Sequence, residues 1–398
     1  MISGPFDERL RKARAEGLFR RIRPLDSPQG PVARLDGADI ILFSSNDYLG
    51  LCAHPKVTAA AADCVRRFGW GSGAARLLAG SMTPHGELER AMAGFLGKQA
   101  ALLFNTGYAA NTGILAAMMG RGDMVFADRL SHASIIDGAR QSGAKLLRFT
   151  HNDPGALDGL LAKAPGRGRR LVVTEGVFSM DGDIPPLKLI ASIARRHGAM
   201  MMVDDAHGFG LFGPEGRGTP HMACIADEVD IHVVTLGKAL GSFGGVVAAS
   251  RAVIDGLINF SRPFIYSTAI PPAAAAAAMA ALDIARGPEG DALRRRLFSN
   301  CELAVRVLKG AGLAADSATQ IIPVVVGDSS QASRLSARLF EDGVYAPAIR
   351  PPTVPRGTAR LRLSIGSGHT REQIELLGSL LARGFDRGLP SNPDVKGV

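Results

Sequence analysis

A single lysine among glycines constrains this sequence more than its other features. The largely apolar, β-branched run from Ile231 to Leu236 predicts a buried strand, because it is too short for a helix. The strand leads to Lys238 within GKALGSFGG, whose small residues allow a flat ligand to approach the backbone. A lysine removed from water has a lowered pKa and reacts with carbonyl groups. Taken alone, the segment is equally consistent with a glycine-rich turn that carries a solvated lysine.

A second apolar strand upstream changes that balance. The run MMMV at 200–203 is followed by Asp204 and then by His207. In open parallel sheets, functional groups gather at the carboxyl ends of strands. We therefore expect Asp204 and Lys238 to follow neighbouring strands that are joined by a crossover. Pyridoxal phosphate requires this pair, because a lysine holds its aldehyde and a carboxylate keeps its ring nitrogen protonated.

The phosphate of such a cofactor needs a separate site. The short apolar strand ALLF is followed by NTGYAAN at 105–111, which opens a helix predicted to run to about Met119. Small residues at a strand-to-helix turn leave backbone N–H groups available for a phosphate. An ordinary helix cap formed by Asn105 or Thr106 is the alternative.

These motifs, together with EGVFSMDGD at 175–183 and RPPTVP at 350–355, resemble the α-oxoamine synthases, a family of fold-type I pyridoxal-phosphate enzymes. The similarity runs from about Phe19 into the C-terminal region. The resemblance implies an α/β fold-type I transferase, whose large domain has a mainly parallel seven-stranded sheet beside a smaller α+β C-terminal domain. It also implies a homodimer with active sites at the subunit interface.

Three parts of the chain are expected: an N-terminal helix and arm (1–45), a large cofactor-binding domain (46–286) and a small C-terminal domain (287–398). With 398 residues, 46% of them hydrophobic, the chain is long enough for more than one core. The charged, periodic segment from Phe6 to Ile22 predicts the N-terminal helix. From about Gly287 strands and helices follow in a new rhythm, which is typical of a separate α+β domain.

The resemblance also assigns roles around the cofactor. Lys238 forms the covalent bond to it, Asp204 pairs with its ring nitrogen, His207 hydrogen-bonds its phenolic oxygen, and His132 stacks on the ring. These four residues are expected to be catalytic. The further cofactor-binding residues that the resemblance implies are Gly107, Tyr108, Ser179, Thr235, Ser267 and Thr268. The segment that contains the last two would reach the phosphate of the partner subunit.

Two arginines are candidates for binding a substrate carboxylate. The segment TARLRL at 358–363 alternates, so Arg360 and Arg362 lie on the same face of a strand. An arginine binds a carboxylate through two parallel hydrogen bonds, although either side chain could instead be solvated. The resemblance selects Arg362 for the amino-acid carboxylate, and it adds Arg20, Asn46 and Thr353 as substrate-binding residues.

The implied reaction is the decarboxylative condensation of L-alanine with a pimeloyl thioester, which gives 8-amino-7-oxononanoate for biotin biosynthesis. The sequence does not decide whether pimeloyl-CoA or a pimeloyl-acyl carrier protein delivers the acyl group. Related activities are alternatives, namely those of 5-aminolevulinate synthase, 2-amino-3-ketobutyrate CoA ligase and serine palmitoyltransferase. A non-catalytic binding protein on the same fold is an alternative from outside this chemistry.

Composition argues against several other classes of protein. Four scattered cysteines without a C-x-x-C pair argue against a disulfide framework or a zinc site and for the cytoplasm. The acids of 175–183 do not follow the order of a calcium loop, so no metal is expected. No apolar run predicts a membrane span, and the N-terminal residues do not resemble a signal peptide. The net charge of +9 comes from scattered arginines without a nucleic-acid-binding motif, so no nucleic-acid partner is expected.

Overall fold

The structure is a computed structural model that describes residues 4–386. The helices of this part are α1 (Asp7–Ala15), α2 (Pro55–Phe68), α3 (Thr83–Phe95), α4 (Gly107–Met118), α5 (Ala133–Ser142), α6 (Pro154–Ala162), α7 (Leu187–Arg196), α8 (Thr219–Met222), α9 (Arg251–Phe260), α10 (Arg262–Ile265), α11 (Pro272–Ala285), α12 (Pro288–Gly310), α13 (Ser329–Glu341) and α14 (Arg371–Asp386). The strands are β1 (Val32–Leu35), β2 (Ala38–Leu42), β3 (Ala100–Phe104), β4 (Met124–Asp128), β5 (Lys145–Phe149), β6 (Arg170–Glu175), β7 (Met200–Asp204), β8 (Ile231–Thr235), β9 (Gly245–Ala249), β10 (Ile321–Gly327), β11 (Val344–Tyr345), β12 (Ala348–Ile349) and β13 (Ala359–Ser364).

The described chain forms two compact units. The larger consists of residues 51–179 and 183–292, and the smaller of residues 4–50, 180–182 and 293–386. The domain boundaries expected from the sequence, at 45/46 and 286/287, stay a prediction.

The larger unit is built on a seven-stranded sheet in the order β3-β9-β8-β7-β6-β4-β5. Every neighbouring pair is parallel except those formed by β9, which is antiparallel to both β3 and β8. Strand β7, which ends at Asp204, and strand β8, which precedes Lys238, are direct neighbours, with Asp204 paired in register with Val233. The mainly parallel sheet of an α/β fold is therefore confirmed, and the carboxyl ends of β6, β7 and β8 share one edge.

Both faces of this sheet are buried, because consecutive side chains of each strand point to opposite sides. On β4, Val125 and Ala127 belong to one apolar cluster, while Met124 and Phe126 belong to the other. Helices cover both clusters, and each fully buried large apolar side chain contributes about 1.5–3 kcal/mol. The strands that carry the site are thus held rigidly from both sides.

The smaller unit contains two three-stranded sheets, in the orders β1-β2-β11 and β10-β13-β12. Strand β13 is the central strand of the second sheet and is antiparallel to both neighbours. All of its residues are buried, including Arg360 and Arg362. Charged side chains are rarely buried without partners, so their contacts decide what each can do.

The predicted helix from Phe6 to Ile22 is too long. Helix α1 ends at Ala15, and Gly17 follows with φ of +65°, a conformation that stops a right-handed helix. The sequence showed the charged periodicity but not where the helix ends. Among the described residues, no helix is long and apolar enough to cross a membrane.

Candidate active site

Lys238 lies in a tight loop between β8 and β9. The Leu236 amide donates to the Gly244 oxygen at 2.9 Å, which closes the base of the loop. Gly241 has φ of +59°, and a Cβ there would lie only 2.3 Å from the backbone nitrogen of Cys52, so the position requires glycine. The loop therefore fixes the point at which the lysine leaves the sheet.

The side chain of Lys238 reaches the end of the neighbouring strand. It is half-buried, and its Nζ lies 2.7 Å from Nε2 of His207. His207 is buried in a turn after β7, in which the Gly208 amide donates to the Asp205 oxygen at 3.1 Å. Both residues were predicted for the site, but their mutual hydrogen bond was not.

Asp204 is a buried carboxylate at the same edge of the sheet. Its Oδ1 accepts from the Ala206 amide at 3.1 Å, and its Oδ2 accepts from Nδ2 of Asn111 at 2.6 Å. Burying a carboxylate is costly unless donors pair with it, and these two donors reduce that cost. A buried acceptor of this kind suits a protonated ligand nitrogen.

His132 is held at the start of α5. Its Nδ1 is 2.8 Å from the Ser134 hydroxyl, and its backbone N–H donates to Oε1 of Glu175 at 2.6 Å. The pKa of Glu175 is raised well above its ordinary value, first by burial and then by the charge of Asp204. Glu175 therefore fixes the backbone at His132 and stays out of contact with water.

The turn between β3 and α4 presents a helix N terminus to this edge. Thr106 caps α4 by accepting a backbone amide of the first turn at 3.0 Å, so it is the cap among the two predicted alternatives. Gly107 approaches β8 so closely that a Cβ would lie 2.5 Å from Cγ2 of Thr235. Tyr108 is exposed, and its hydroxyl lies 2.5 Å from Oδ2 of Asp137. The turn keeps its first backbone N–H groups near β8, where an anion can bind.

The other predicted cofactor-binding residues lie in two loops of the larger unit. Ser179 and Ser267 are half-buried, and Thr268 is exposed. The backbone oxygen of Thr268 accepts from Nδ2 of Asn105 at 2.8 Å, so this segment lies beside the β3–α4 turn of its own chain. Its predicted contact with the phosphate of a partner subunit stays a prediction.

The residues at these strand ends fit pyridoxal phosphate. Ligands of open α/β sheets bind at the carboxyl ends of strands, and here an amine, a carboxylate and a helix N terminus lie at one such edge. Hydrogen bonds through Asn111 and Ser134 join Asp204 to His132. The pKa of His132 is lowered chiefly by burial, the charge of Asp204 opposes this shift, and the charge of Lys238 adds to it. Lys238 would hold the aldehyde, Asp204 the ring nitrogen and the turn at Gly107 the phosphate. Within residues 4–386, no cluster of histidine, cysteine or acidic side chains could hold a metal ion.

Two polar residues of this site received no role from the sequence. Asn111 and Ser134 are both buried and join Asp204 to His132. The other buried residues of the two helices are apolar or glycine, apart from Thr112 on α4. A polar residue in such a position indicates a hydrogen-bond partner in the interior, which is the signal that could have identified both.

A separate cluster surrounds Arg362 in the smaller unit. Both terminal nitrogens of its guanidinium lie 3.3 Å from Oδ1 of Asn46, and one also donates to Oγ of Ser364 at 2.8 Å. The other donates to the Tyr48 hydroxyl at 3.3 Å. Burial raises the pKa of Tyr48, and the charge of Arg362 partly opposes that rise. Two of the predicted substrate-binding residues, Asn46 and Arg362, are therefore in contact.

Arg360 has different partners. Its guanidinium lies 2.5 Å from Oδ1 of Asp181 and also donates to the oxygens of Met180 and Thr358. Its charge is thus paired with a carboxylate of its own chain. This pairing favours Arg362 over Arg360 as the binder of an external carboxylate.

Arg20 lines a cavity of about 400 Å³ in the smaller unit. Other side chains of its wall are those of Phe19, Arg21, Arg23, Tyr345 and Arg350. The pKa of Arg350 is lowered, first by burial and then by the charge of Arg20, so an anion in the cavity would offset both effects. Thr353 is exposed and lies outside this wall, and its amide donates to the Arg350 oxygen at 3.1 Å.

Comparison with known proteins gives consistent results. The family model for aminotransferase class I and II matches residues 38–379. An 8-amino-7-oxononanoate synthase from Geobacter sulfurreducens is 49% identical over 375 residues, covering 94% of this chain and 96% of the relative. One from Anaeromyxobacter dehalogenans is 47% identical and covers 95% of each chain.

Solved structures of related enzymes share the fold. Serine palmitoyltransferase from S. paucimobilis, with a bound PLP–myriocin aldimine, has a TM-score of 0.91 and 34% identity, covering 96% of this chain and 98% of that one. The 8-amino-7-oxononanoate synthase from Francisella tularensis has a TM-score of 0.76 and 31% identity, covering 87% and 98%. The matched family model, the near full-length relatives and the strand-end geometry agree, so this chain belongs to the aminotransferase class I and II family and, within it, to the α-oxoamine synthases.

Proposed function

We propose that this chain is a pyridoxal-phosphate-dependent acyltransferase that condenses L-alanine with a pimeloyl thioester and releases carbon dioxide and the free thiol of the acyl carrier. The product is 8-amino-7-oxononanoate, an intermediate of biotin biosynthesis. One observation carries the proposal: Asp204 ends β7 and Lys238 follows the neighbouring parallel strand β8, in a chain 49% identical to a relative named for this activity.

The lysine acts as nucleophile and as base. When bound, pyridoxal phosphate supplies an aldehyde that reacts with amines and a ring that accepts electrons. Lys238 would hold the aldehyde carbon covalently and would give it up to the amine of alanine. Its freed nitrogen then takes the proton from Cα of alanine, a general-base role worth roughly 10²–10⁴-fold. His207, 2.7 Å away, orients that nitrogen and binds the phenolic oxygen.

The remaining residues of the strand ends hold charge and orientation. Asp204 would keep a proton at the ring nitrogen, and His132 would pack against the ring. Backbone N–H groups of Gly107 and Tyr108, at the N terminus of α4, would bind the phosphate. Ser179 and Thr235 complete the cofactor-binding set.

The substrate residues belong to the smaller unit. Arg362, held by Asn46, binds the carboxylate of alanine as a planar fork. Arg20 and Thr353 bind the acyl thioester. The arginines that line the cavity at Arg20 suit an anionic part of that substrate.

The assembly proposed is a cytoplasmic homodimer in which Ser267 and Thr268 act on the phosphate of the partner subunit. Exposed large apolar side chains of the larger unit support a partner surface. Trp70 is 71% exposed, Leu78 81% and Tyr266 71%. The segments that carry these side chains meet at the β-bridge between Ala75 and Thr268. Apolar side chains gathered in water on a single chain indicate association.

A serine palmitoyltransferase activity is the second candidate, because the enzyme with that name shares the fold at a TM-score of 0.91. Backbone similarity does not select a substrate. The higher identity, 49% against 34%, favours the first candidate.

A crossed substrate panel tests the proposal. Purified protein with pyridoxal phosphate is given alanine, glycine or serine, each with pimeloyl-CoA, pimeloyl-acyl carrier protein, acetyl-CoA, succinyl-CoA or palmitoyl-CoA. Carbon dioxide and the amino ketone are measured, with Lys238→Ala as the inactive control. Product from alanine and a pimeloyl thioester supports the proposal, and faster turnover of serine with palmitoyl-CoA contradicts it.

A further inference from the structure

Asn111 and Ser134 form a hydrogen-bonded path from Asp204 to His132. Asn111 is buried on α4, and Ser134 is buried in the first turn of α5. Nδ2 of Asn111 lies 2.6 Å from Oδ2 of Asp204 and 2.9 Å from Oγ of Ser134. The Ser134 Oγ in turn lies 2.8 Å from Nδ1 of His132. The path thus connects the carboxylate with the imidazole.

The chemistry of the atoms fixes the first two hydrogen bonds. An amide nitrogen carries two hydrogens and accepts none, so Asn111 donates one hydrogen to the Asp204 carboxylate and the other to Ser134. The reverse amide orientation would place its oxygen against the carboxylate oxygen. Oδ1 of Asn111 has no hydrogen-bond partner among the described residues. The orientation of this side-chain amide is therefore determined by the two hydrogen bonds that Nδ2 donates.

The cap of α5 determines the direction of the hydrogen bond between Ser134 and His132. The backbone N–H of Ser134 donates to Nδ1 of His132 at 3.3 Å. A ring nitrogen that accepts from a backbone N–H carries no hydrogen, so the Ser134 hydroxyl also donates to it. A neutral imidazole with a bare Nδ1 carries its hydrogen on Nε2.

The electrostatics at His132 agree with a neutral ring. Its pKa is lowered chiefly because the surrounding protein desolvates the imidazolium. The charge of Asp204 opposes this shift, and the charge of Lys238 adds to it.

We propose that Asn111 and Ser134 are positioning residues that hold His132 in its Nε2–H tautomer and tie its orientation to Asp204. His132 then offers a hydrogen-bond donor, and no acceptor, to a ligand at its Nε2 edge. The matching chemistry is an anionic or carbonyl oxygen of the substrate or cofactor. The inference rests on the proposed function for its activity readout alone, because the tautomer is measurable without turnover.

Nitrogen NMR of protein labelled at histidine tests the tautomer directly, with and without pyridoxal phosphate. The signals of His132, one of nine histidines, are identified by their loss in His132→Gln. We expect a bare Nδ1 and a protonated Nε2 in the parent protein. Asn111→Leu and Ser134→Ala should each move both signals part of the way towards the average of two exchanging tautomers, because the backbone N–H that remains reaches Nδ1 only at 3.3 Å, against 2.8 Å for the hydroxyl. A protonated Nδ1 in the parent, or unchanged signals in both variants, would overturn the proposal.

Asn300→Leu is the matched control. It removes a partly buried amide whose Nδ2 donates to the backbone oxygens of Gly366 and His369, in the smaller unit. This variant should lose stability without moving the His132 signals. Ser134→Ala removes a single hydroxyl and keeps the backbone cap, so the test survives if Asn111→Leu fails to fold.

Exchange of the alanine Cα proton for deuterium, followed across pH, supplies the second readout. Each single variant should lose roughly 10- to 100-fold in exchange rate with a displaced pH profile, because a small misplacement of a catalytic group has this effect. The double variant should lose little more than the worse single one, because both act on one path. Additive losses with an unchanged profile would indicate a structural role and refute the proposal. If the parent exchanges no alanine proton but shows the expected NMR signals, the tautomer assignment stands and the proposed function fails.

Discussion

Nζ of Lys238 lies 2.7 Å from Nε2 of His207, so a histidine after β7 holds the amine presented after β8. A free lysine side chain samples many rotamers, and ordering one costs up to about 2 kcal/mol of conformational entropy. The hydrogen bond offsets part of that cost before any ligand binds. The amine is therefore presented at one place, beside the carboxyl ends of the parallel strands.

Replacing Lys238 by alanine should abolish turnover and leave a folded protein. The half-buried side chain supplies the only nitrogen proposed for the covalent bond, and its removal leaves the backbone contacts of the loop in place. Borohydride treatment followed by mass spectrometry checks for a fixed cofactor. The expected result is a reduced adduct in the parent and none in the variant.

Lys98→Ala is the matched control for this experiment. Lys98 is a second lysine of the larger unit whose pKa is lowered, mainly by burial, and its Nζ donates to the oxygens of Ala226 and Val229 at 2.6 Å. This variant should keep the reducible adduct. An adduct that persists in Lys238→Ala and maps to another lysine would refute the assignment.

Replacing Asp204 by asparagine should permit cofactor binding but remove most of the activity. The neutral amide no longer favours a protonated ring nitrogen, and each unit of pKa shift corresponds to about 1.4 kcal/mol between protonation states. The measurement is the rate of deuterium exchange at Cα of alanine. A near-normal rate would show that the carboxylate is not required for the electron sink.

Asp205→Asn separates this effect from a loss of stability. Asp205 is also buried, but it accepts from the Thr219 amide at 2.9 Å and hydroxyl at 2.7 Å, and it lies 3.2 Å from Nε2 of His232. Those contacts stabilise the loop that runs from Asp205 to Thr219. The control should therefore lower the thermal midpoint while folded molecules keep their exchange rate.

The sequence predicts this site to the extent that strand direction determines it. Apolar runs that end in Asp204 and lead to Lys238 are sufficient, because the carboxyl ends of parallel strands share an edge. These apolar runs do not predict that Asn111, on α4, contacts Asp204. That contact depends on how α4 is rotated about its axis against the sheet. The sequence does not determine this rotation, because Thr112, the next polar residue, is also buried.

Alternation on β13 shows a similar limit. The two-residue period of a strand places Arg360 and Arg362 on one face, as predicted. It does not indicate which of the two arginines binds the carboxylate. What distinguishes them is Asp181, which lies 179 positions before Arg360 in the chain and pairs with it. A contact over that sequence separation requires the folded chain. The family resemblance, and not the strand pattern, selected Arg362.

Replacing Arg362 by alanine should weaken alanine binding strongly and leave cofactor binding nearly unchanged. A hydrogen bond to a charged group contributes about 1.5–3 kcal/mol, which corresponds to roughly 10- to 100-fold in affinity. Arg362→Lys should restore little, because an ammonium lacks the planar fork. Alanine titration followed by the absorbance of the bound cofactor measures both variants.

Arg360→Ala is the comparison for that titration. Its partner Asp181 loses an ion pair, so the expected effect is mainly lower stability with a smaller change in alanine affinity. A greater loss of affinity for Arg360→Ala than for Arg362→Ala would move the carboxylate assignment to Arg360.

The last prediction concerns His151, which lies between two carboxylates. Its Nδ1 is 2.9 Å from Oδ1 of Asp128, its Nε2 is 2.8 Å from Oδ2 of Asp183, and its ring packs edge-on to Phe178. Burial alone would lower the pKa of His151, but the hydrogen bonds and charges of both acids outweigh it and raise the pKa to about 10. The imidazolium therefore joins the segments after β4 and β6, which carry His132 and Ser179.

The sign of the pH dependence follows from that pKa. The folded protein keeps a proton on His151 that the unfolded chain releases above its ordinary pKa of 6.5. The contribution to the free energy of unfolding is therefore complete below about pH 6.5, declines as the pH rises and is lost above about pH 10. Thermal midpoints of the parent and His151→Gln, measured between about pH 6 and 10, should differ most at the acidic end and converge towards the basic end. His197→Gln, which removes a pair with the exposed Asp158, should change the midpoint little at every pH, because exposed pairs contribute little. If the difference between the parent and His151→Gln stays constant from pH 7 to 10, His151 is not protonated in the folded protein, and the link between the two segments is not ionic.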